Sequence, residues 1–113
     1  MHEMSLAEGM VQILEDNAKT QNFKKVLCVW LEIGQLSHVD PEAISFCFEA
    51  VTKGTLAEGA KLEILRPPGQ AWCDDCVEQV EIADRVAGCP KCGGHRLIVT
   101  EGEDMRVKEL EVE

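Results

Sequence analysis

No stretch of this 113-residue chain is apolar for long enough to cross a membrane, and its opening Met1-His2-Glu3-Met4 has no basic region leading into a hydrophobic one. Neither a membrane span nor a secretory leader is expected, so the cytoplasm is the expected compartment. Basic residues are also scarce: 11 Lys and Arg stand against 21 Asp and Glu, a formal net charge of −10. Binding nucleic acid needs cations that displace counterions from phosphates, so nucleic acid is not an expected partner. An acidic surface suits protein partners and metal cations instead. Internal repeats and low-complexity tracts are missing too. With 45% apolar and 28% charged residues, the composition is that of a globular chain and not of a disordered one.

Six cysteines in a reducing compartment read as ligands and core residues rather than as a disulfide framework. Four of them form two pairs, Cys73-x-x-Cys76 and Cys89-Pro-Lys-Cys92-Gly-Gly, separated by twelve residues. Each pair is a tight knuckle whose sulfurs can face a common point, and two knuckles complete a tetrahedral four-sulfur site. Pro90, Gly93 and Gly94 suit the turn that bends backbone amides toward a metal. Zinc is the expected occupant. Iron remains open, because a Cys-Pro-x-Cys-Gly knuckle also serves rubredoxin-like sites, and two disulfides are the further alternative. Two matched pairs are better explained by shared coordination than by thiol exchange. Four sulfurs leave no open position, and no nucleophile has an evident base partner, so no enzyme is expected.

The remaining elements follow from periodicity. Ser5-x-x-Glu8 predicts a capped helix to about Gln21 with Leu6, Met10, Ile13 and Leu14 on its apolar face, leaving residues 1–4 outside it. Lys25 to Gly34 is a nearly unbroken apolar run and predicts a strand buried on both faces, with Cys28 packed inside it. Asp40-Pro41 predicts an N-cap and first helical position, followed by Ile44, Cys47, Phe48 and Val51 on one face and Gly54 at the end. Leu62 and Ile64 mark a second strand, which Pro67-Pro68-Gly69 breaks. Gln79 to Ile82 and Arg96 to Val99 are the expected ribbon strands, and Arg106 to Val112 is a last strand whose change of phase near Lys108 implies a bulge. The expected fold is α/β: two helices on a small three-stranded sheet, with an inserted zinc-ribbon module. Residues 1–66 with 102–113 form the αβ domain, and residues 67–101 form the ribbon domain.

The start of the chain has a second metal chemistry. The α-amine of Met1, the amide and imidazole Nδ1 of His2 and the amide of Glu3 can bind one cation through fused chelate rings. Such nitrogen-rich tetragonal geometry favours Ni(II) or Cu(II) over Zn(II).

Met1-His2-Glu3, Trp30-Leu-Glu-Ile-Gly34, Ser45-Phe-Cys-Phe-Glu49, Ala57-Glu-Gly59 and the paired cysteines together resemble the HypA/HybF family of hydrogenase nickel-incorporation proteins. The resemblance implies a metallochaperone. Structural zinc would sit on Cys73, Cys76, Cys89 and Cys92, and nickel, as cargo, on His2 with the backbone of Glu3. The family also places a carboxylate near the nickel from the loop before the second helix, where Asp40 stands; the competing role of Asp40 is the helix cap. His38, two residues earlier, is read as merely exposed. Some relatives carry a histidine directly after a cysteine pair, whereas Gly93-Gly94 separates His95 from Cys92 here. The implied partners are a nickel-handling GTPase and the [NiFe]-hydrogenase large subunit precursor. An adaptor that docks proteins through its ribbon and binds no nickel is the alternative, and a free sheet edge or helix face would equally serve a homodimer.

Overall fold

The computed structural model describes residues 2–113, and of His2 only the backbone. The elements run α1 (His2–Gln21), β1 (Val26–Ile33), α2 (Pro41–Val51), β2 (Lys61–Leu65), β3 (Gly69–Cys73), β4 (Glu78–Ile82), β5 (Leu97–Glu101) and β6 (Met105–Val112). The strands form two three-stranded sheets, ordered β2-β1-β6 and β4-β3-β5. Two compact units result. One comprises the segments up to Leu31, Val39–Ile64 and Val107–Glu113, and the other Glu32–His38 and Leu65–Arg106.

In the first unit, β1 is the central strand, as its apolar run predicts, and Val26, Cys28, Val29 and Leu31 are buried along it. Lys25 and Glu113 exchange both backbone hydrogen bonds, and at the far end Gly34 donates to the Asp104 carbonyl, so β1 and β6 run antiparallel. Ala7, Met10, Val11 and Leu14 of α1 and Ile44, Cys47 and Phe48 of α2 supply the helical side of the core. Each large side chain buried there contributes about 1.5–3 kcal/mol by removal from water. The inward stripe of α1 therefore differs from the expected one: Ile13 is half exposed, and Ala7 and Val11 point in. Along β6 the half-buried positions shift phase between Lys108 and Glu109, where the sequence pattern changes.

Two expectations are corrected. The first helix begins at His2 and not after Ser5, which lies exposed on the helix. Nothing in residues 2–4 breaks a helix, and adding a turn to an existing helix costs far less than nucleating one. At its other end Asn22, with φ 59°, donates to Ala18 O at 2.9 Å and closes the last turn in the left-handed conformation. The ribbon also has a third strand that the sequence pattern does not announce. This strand, β3, starts at Gly69 directly after the two prolines and pairs antiparallel with both β4 and β5. Its inward residues Gly69, Ala71 and Cys73 are too small to register as a hydrophobic alternation.

The second unit contains a close backbone stack. A Cβ on Gly34 would lie 2.1 Å from Gly102 O, and one on Gly102 would lie 2.6 Å from Gly69 Cα. Backbone cannot rotate away as a side chain can. Gly34→Ala should therefore cost about 2–3 kcal/mol in urea unfolding, at the upper end of overpacking effects. Gly9, inside α1 with nothing within 4 Å of its missing Cβ, is the contrasting case. Gly9→Ala should stabilise by about 1 kcal/mol, the helix-propensity difference.

Candidate metal centres

The first knuckle lies in the turn between β3 and β4, and the second precedes β5. Cys73 and Cys89 are buried, Cys76 is half-buried and Cys92 is exposed. All four Sγ atoms lie within 4.8 Å of one another, with Cys73 to Cys92 at 3.7 Å and Cys76 to Cys89 at 3.8 Å. A disulfide requires about 2.05 Å, so the cysteines are free. A tetrahedron of sulfurs about 2.3 Å from a central ion has edges of about 3.8 Å, and the sulfurs are spaced to that size. The donor set is suited to zinc.

The backbone prepares this cluster. The N–H groups of Cys76, Lys91 and Gly94 donate to the sulfurs of Cys73, Cys89 and Cys92, each at 3.4 Å. Such bonds orient metal-bound thiolates and disperse their charge. The Cys92 N–H is the main influence holding the Cys89 thiol down to about 7, against burial and with help from Lys91 N–H. Hydrogen bonding to Cys92, then burial, pushes Cys76 up to about 12. Without metal, the Cys89 sulfur thus ionises near neutrality while Cys76 holds its proton more tightly than an ordinary thiol. Two exposed ion pairs link the knuckles, Lys91 with Glu78 and Arg96 with Asp75 at 3.0 Å; pairs so exposed are screened by water and contribute little.

The knuckles repeat one another. Val77 N–H donates to Cys73 O at 2.8 Å, and Gly93 N–H donates to Cys89 O at 2.8 Å. Both residues directly follow a second cysteine and both have positive φ, 55° at Val77 and 75° at Gly93. Glycine holds that conformation freely, whereas a β-branched side chain is strained in it. Sequence reasoning passed over Val77; its position relative to Gly93 is the signal that marks it.

At the other candidate centre, the side chain of His2 and all of Met1 lie outside the described residues, so the expected nickel ligands there have no described geometry. Glu3 and Asp40 are described. Asp40 is the N-cap of α2, its Oδ1 accepting from Glu42 N–H at 2.9 Å, and Pro41 follows as expected. The Glu3 carboxylate reaches the Asp40 backbone N–H at 3.5 Å, which brings the start of α1 beside the start of α2. With the helix starting at His2, the amides of His2 and Glu3 fall among its first N–H groups, which have no partner within the helix. They stay available even though the helix starts earlier than expected. His38 is exposed, and His95 places Nε2 3.2 Å from Val86 O, outside the sulfur cluster.

A family model described as hydrogenase/urease nickel incorporation, metallochaperone, hypA, matches residues 1–112. The chain belongs to the HypA family. Proteins named hydrogenase maturation factor HypA, from Albidiferax ferrireducens and Azotobacter chroococcum, are 60% and 59% identical to it over all of both chains. The solution structure of the Ni metallochaperone HypA from Helicobacter pylori superposes with a TM-score of 0.73 at 26% identity, covering 97% of this chain and 96% of that one. A second solution structure, of a HypA protein, gives 0.75 at 28% identity over 99% and 96% of the two chains. HypA proteins are metallochaperones that act in hydrogenase maturation and are not enzymes. The α/β fold with a four-cysteine ribbon agrees with the family structures. Among the described residues no helix is long and apolar enough to cross a membrane.

Zinc loading at neutral pH should release at least about two protons, because coordination takes thiolates and both Cys76 and Cys92 hold their protons above the ordinary thiol range. Calorimetry in two buffers of different ionisation enthalpy reads that number directly. Relief of the left-handed strain by Val77→Asn should raise stability by about 1 kcal/mol, measured by urea unfolding of the zinc-loaded protein.

Proposed function

We propose that this chain binds Ni(II) at the beginning of α1 and delivers it to the [NiFe]-hydrogenase large subunit precursor. The α-amine of Met1, the amide and imidazole of His2 and the amide of Glu3 form the primary nitrogen donor set, which suits Ni(II) over Zn(II). Asp40 is the neighbouring carboxylate. Its Oδ1 is occupied as a cap, and its second oxygen is the one to face a cation. Family membership across the whole chain is the observation that carries this reading. The approach of Glu3 to Asp40 supports it by bringing a second carboxylate to the start of α1.

Zinc on Cys73, Cys76, Cys89 and Cys92 has a structural role in this proposal, bound by a ribbon of residues 67–101 set into the nickel-binding domain of residues 1–66 with 102–113. The partners are a nickel-handling maturation GTPase and the recipient large subunit, in the cytoplasm. Release of cargo follows from exchangeable nitrogen ligands, since protonation of His2 or of a bound amide removes a donor.

Calorimetric titration of tag-free, zinc-loaded protein with Ni(II) tests the site. About one equivalent should bind, and both His2→Ala and a version with one residue added before Met1 should lose it. The added residue displaces the α-amine while leaving every side chain in place. Equal binding by all three would put nickel elsewhere and favour the adaptor reading. Asp40→Asn separates the roles of that residue: asparagine caps a helix as well as aspartate does, so stability should hold while nickel affinity falls several-fold.

A further inference from the structure

The β4-β3-β5 sheet has two unlike faces. Gly69, Ala71 and Cys73 of β3 point into the small core with Leu36, Val80, Ile82 and Cys89. The alternate residues Gln70 and Trp72 point the other way. In register, Trp72 stands between Gln79 of β4 and Ile98 of β5, and Gln70 between Glu81 and Glu101. Thr100, the extra residue at the bulge in β5, accepts from Gln79 Nε2 at 3.0 Å and donates to Gln70 O at 3.2 Å, bridging across the central strand. Ile98 is 58% exposed, Trp72 is half-buried, and Gln79, Glu81, Thr100 and Glu101 are exposed. A tryptophan and an isoleucine side by side on an open sheet, rimmed by amides, a hydroxyl and carboxylates, have the composition of a protein-binding centre.

Charge selects the occupant. The Glu32–His38 and Leu65–Arg106 segments carry five basic side chains and nine carboxylates, a net charge of −4. Every basic side chain there is already engaged. Arg85, Lys91, Arg96 and Arg106 pair with Glu103, Glu78, Asp75 and Glu32, and Arg66 donates to Ile33 O. Among the described residues Glu81 and Glu101 have no ion-pair partner. The cations that would match them must come from outside. A second copy of this face would bring the same two glutamates against them, and like charges oppose that pairing. Nucleic acid and anionic membranes are repelled for the same reason.

We propose that the outer face of this sheet docks a basic polypeptide segment, with an apolar side chain seated on Trp72 and Ile98 and lysine or arginine side chains on Glu81 and Glu101. The proposal is independent of the nickel reading, since it uses no residue of that site. Isolated exposed apolar residues such as Phe46, on α2, lack this registered neighbourhood.

The test uses full-length, zinc-loaded protein carrying Trp30→Phe, so that Trp72 alone emits. The probes are a nine-residue peptide of alternating leucine and lysine and its leucine–glutamate counterpart. The basic peptide should shift Trp72 emission to the blue and lose affinity in high salt, and the acidic peptide should not bind. Glu81→Lys with Glu101→Lys should weaken binding about tenfold or more, whereas Glu8→Lys with Glu49→Lys, an equal charge change on the helices, should leave it nearly intact. Ile98→Ser, at a solvent-exposed position that leaves the core unchanged, should weaken it as well. Equal weakening by both charge-reversed pairs would show attraction to net charge alone and overturn the proposal. Unchanged Trp72 emission on peptide binding, or a monomer–dimer shift in sedimentation on Ile98→Ser, would overturn it too.

Discussion

Four sulfurs confined within 4.8 Å of one another are the constraint on which the ribbon depends. The buried core of that unit is Leu36, Ala71, Cys73, Val80, Ile82 and Cys89, so two of its six members are themselves metal-site cysteines. So little apolar burial cannot offset the entropy of ordering the roughly fifty residues of that unit, and small modules of this kind need a covalent or coordinate staple. Position and stability are coupled as a result. The strands hold the sulfurs at the edge length of a coordination tetrahedron, and coordination in turn would hold the strands.

The first unit rests on ordinary packing, which is why most of it was legible in the sequence. The β1 run, the Asp40-Pro41 cap and the Ile44, Cys47, Phe48 stripe are strong local signals that tertiary structure reinforces. The errors fall where local signals are weak or compete. Ser5-x-x-Glu8 has the form of a capping box, but a helix continues through such residues when nothing upstream stops it. The β3 strand escaped notice because its buried residues are glycine, alanine and cysteine, the sizes required beneath Leu36 and beside the knuckles. Its consequence for the site is large, because Cys73 ends that strand and Trp72 faces outward from it.

The cysteine cluster was legible to the residue, since spacing alone dictates which sulfurs can converge. Its backbone was legible in one half only. Gly93 announces a left-handed turn, whereas Val77 gives no local hint and is held there by the hydrogen bond from its N–H to Cys73 O. A turn that glycine makes at no cost is imposed on valine by the requirement that two knuckles face one point.

The start of α1 is an unusual location for a cation. Aligned peptide dipoles give a helix N-terminus about half a unit of positive charge, which attracts anions and repels metal ions. In the proposed nickel site, a divalent ion held by backbone nitrogens at His2 and Glu3 would work against that field. The carboxylates of Glu3 and Asp40, gathered where the two helices begin, are the local source of opposing charge. A cation brought by a binding partner would compete for either carboxylate, so the electrostatic balance at such a site would be adjustable from outside the molecule. A protein that, as proposed, holds a cargo ion and then surrenders it would gain from having that ion at the end of the helix that does not favour it.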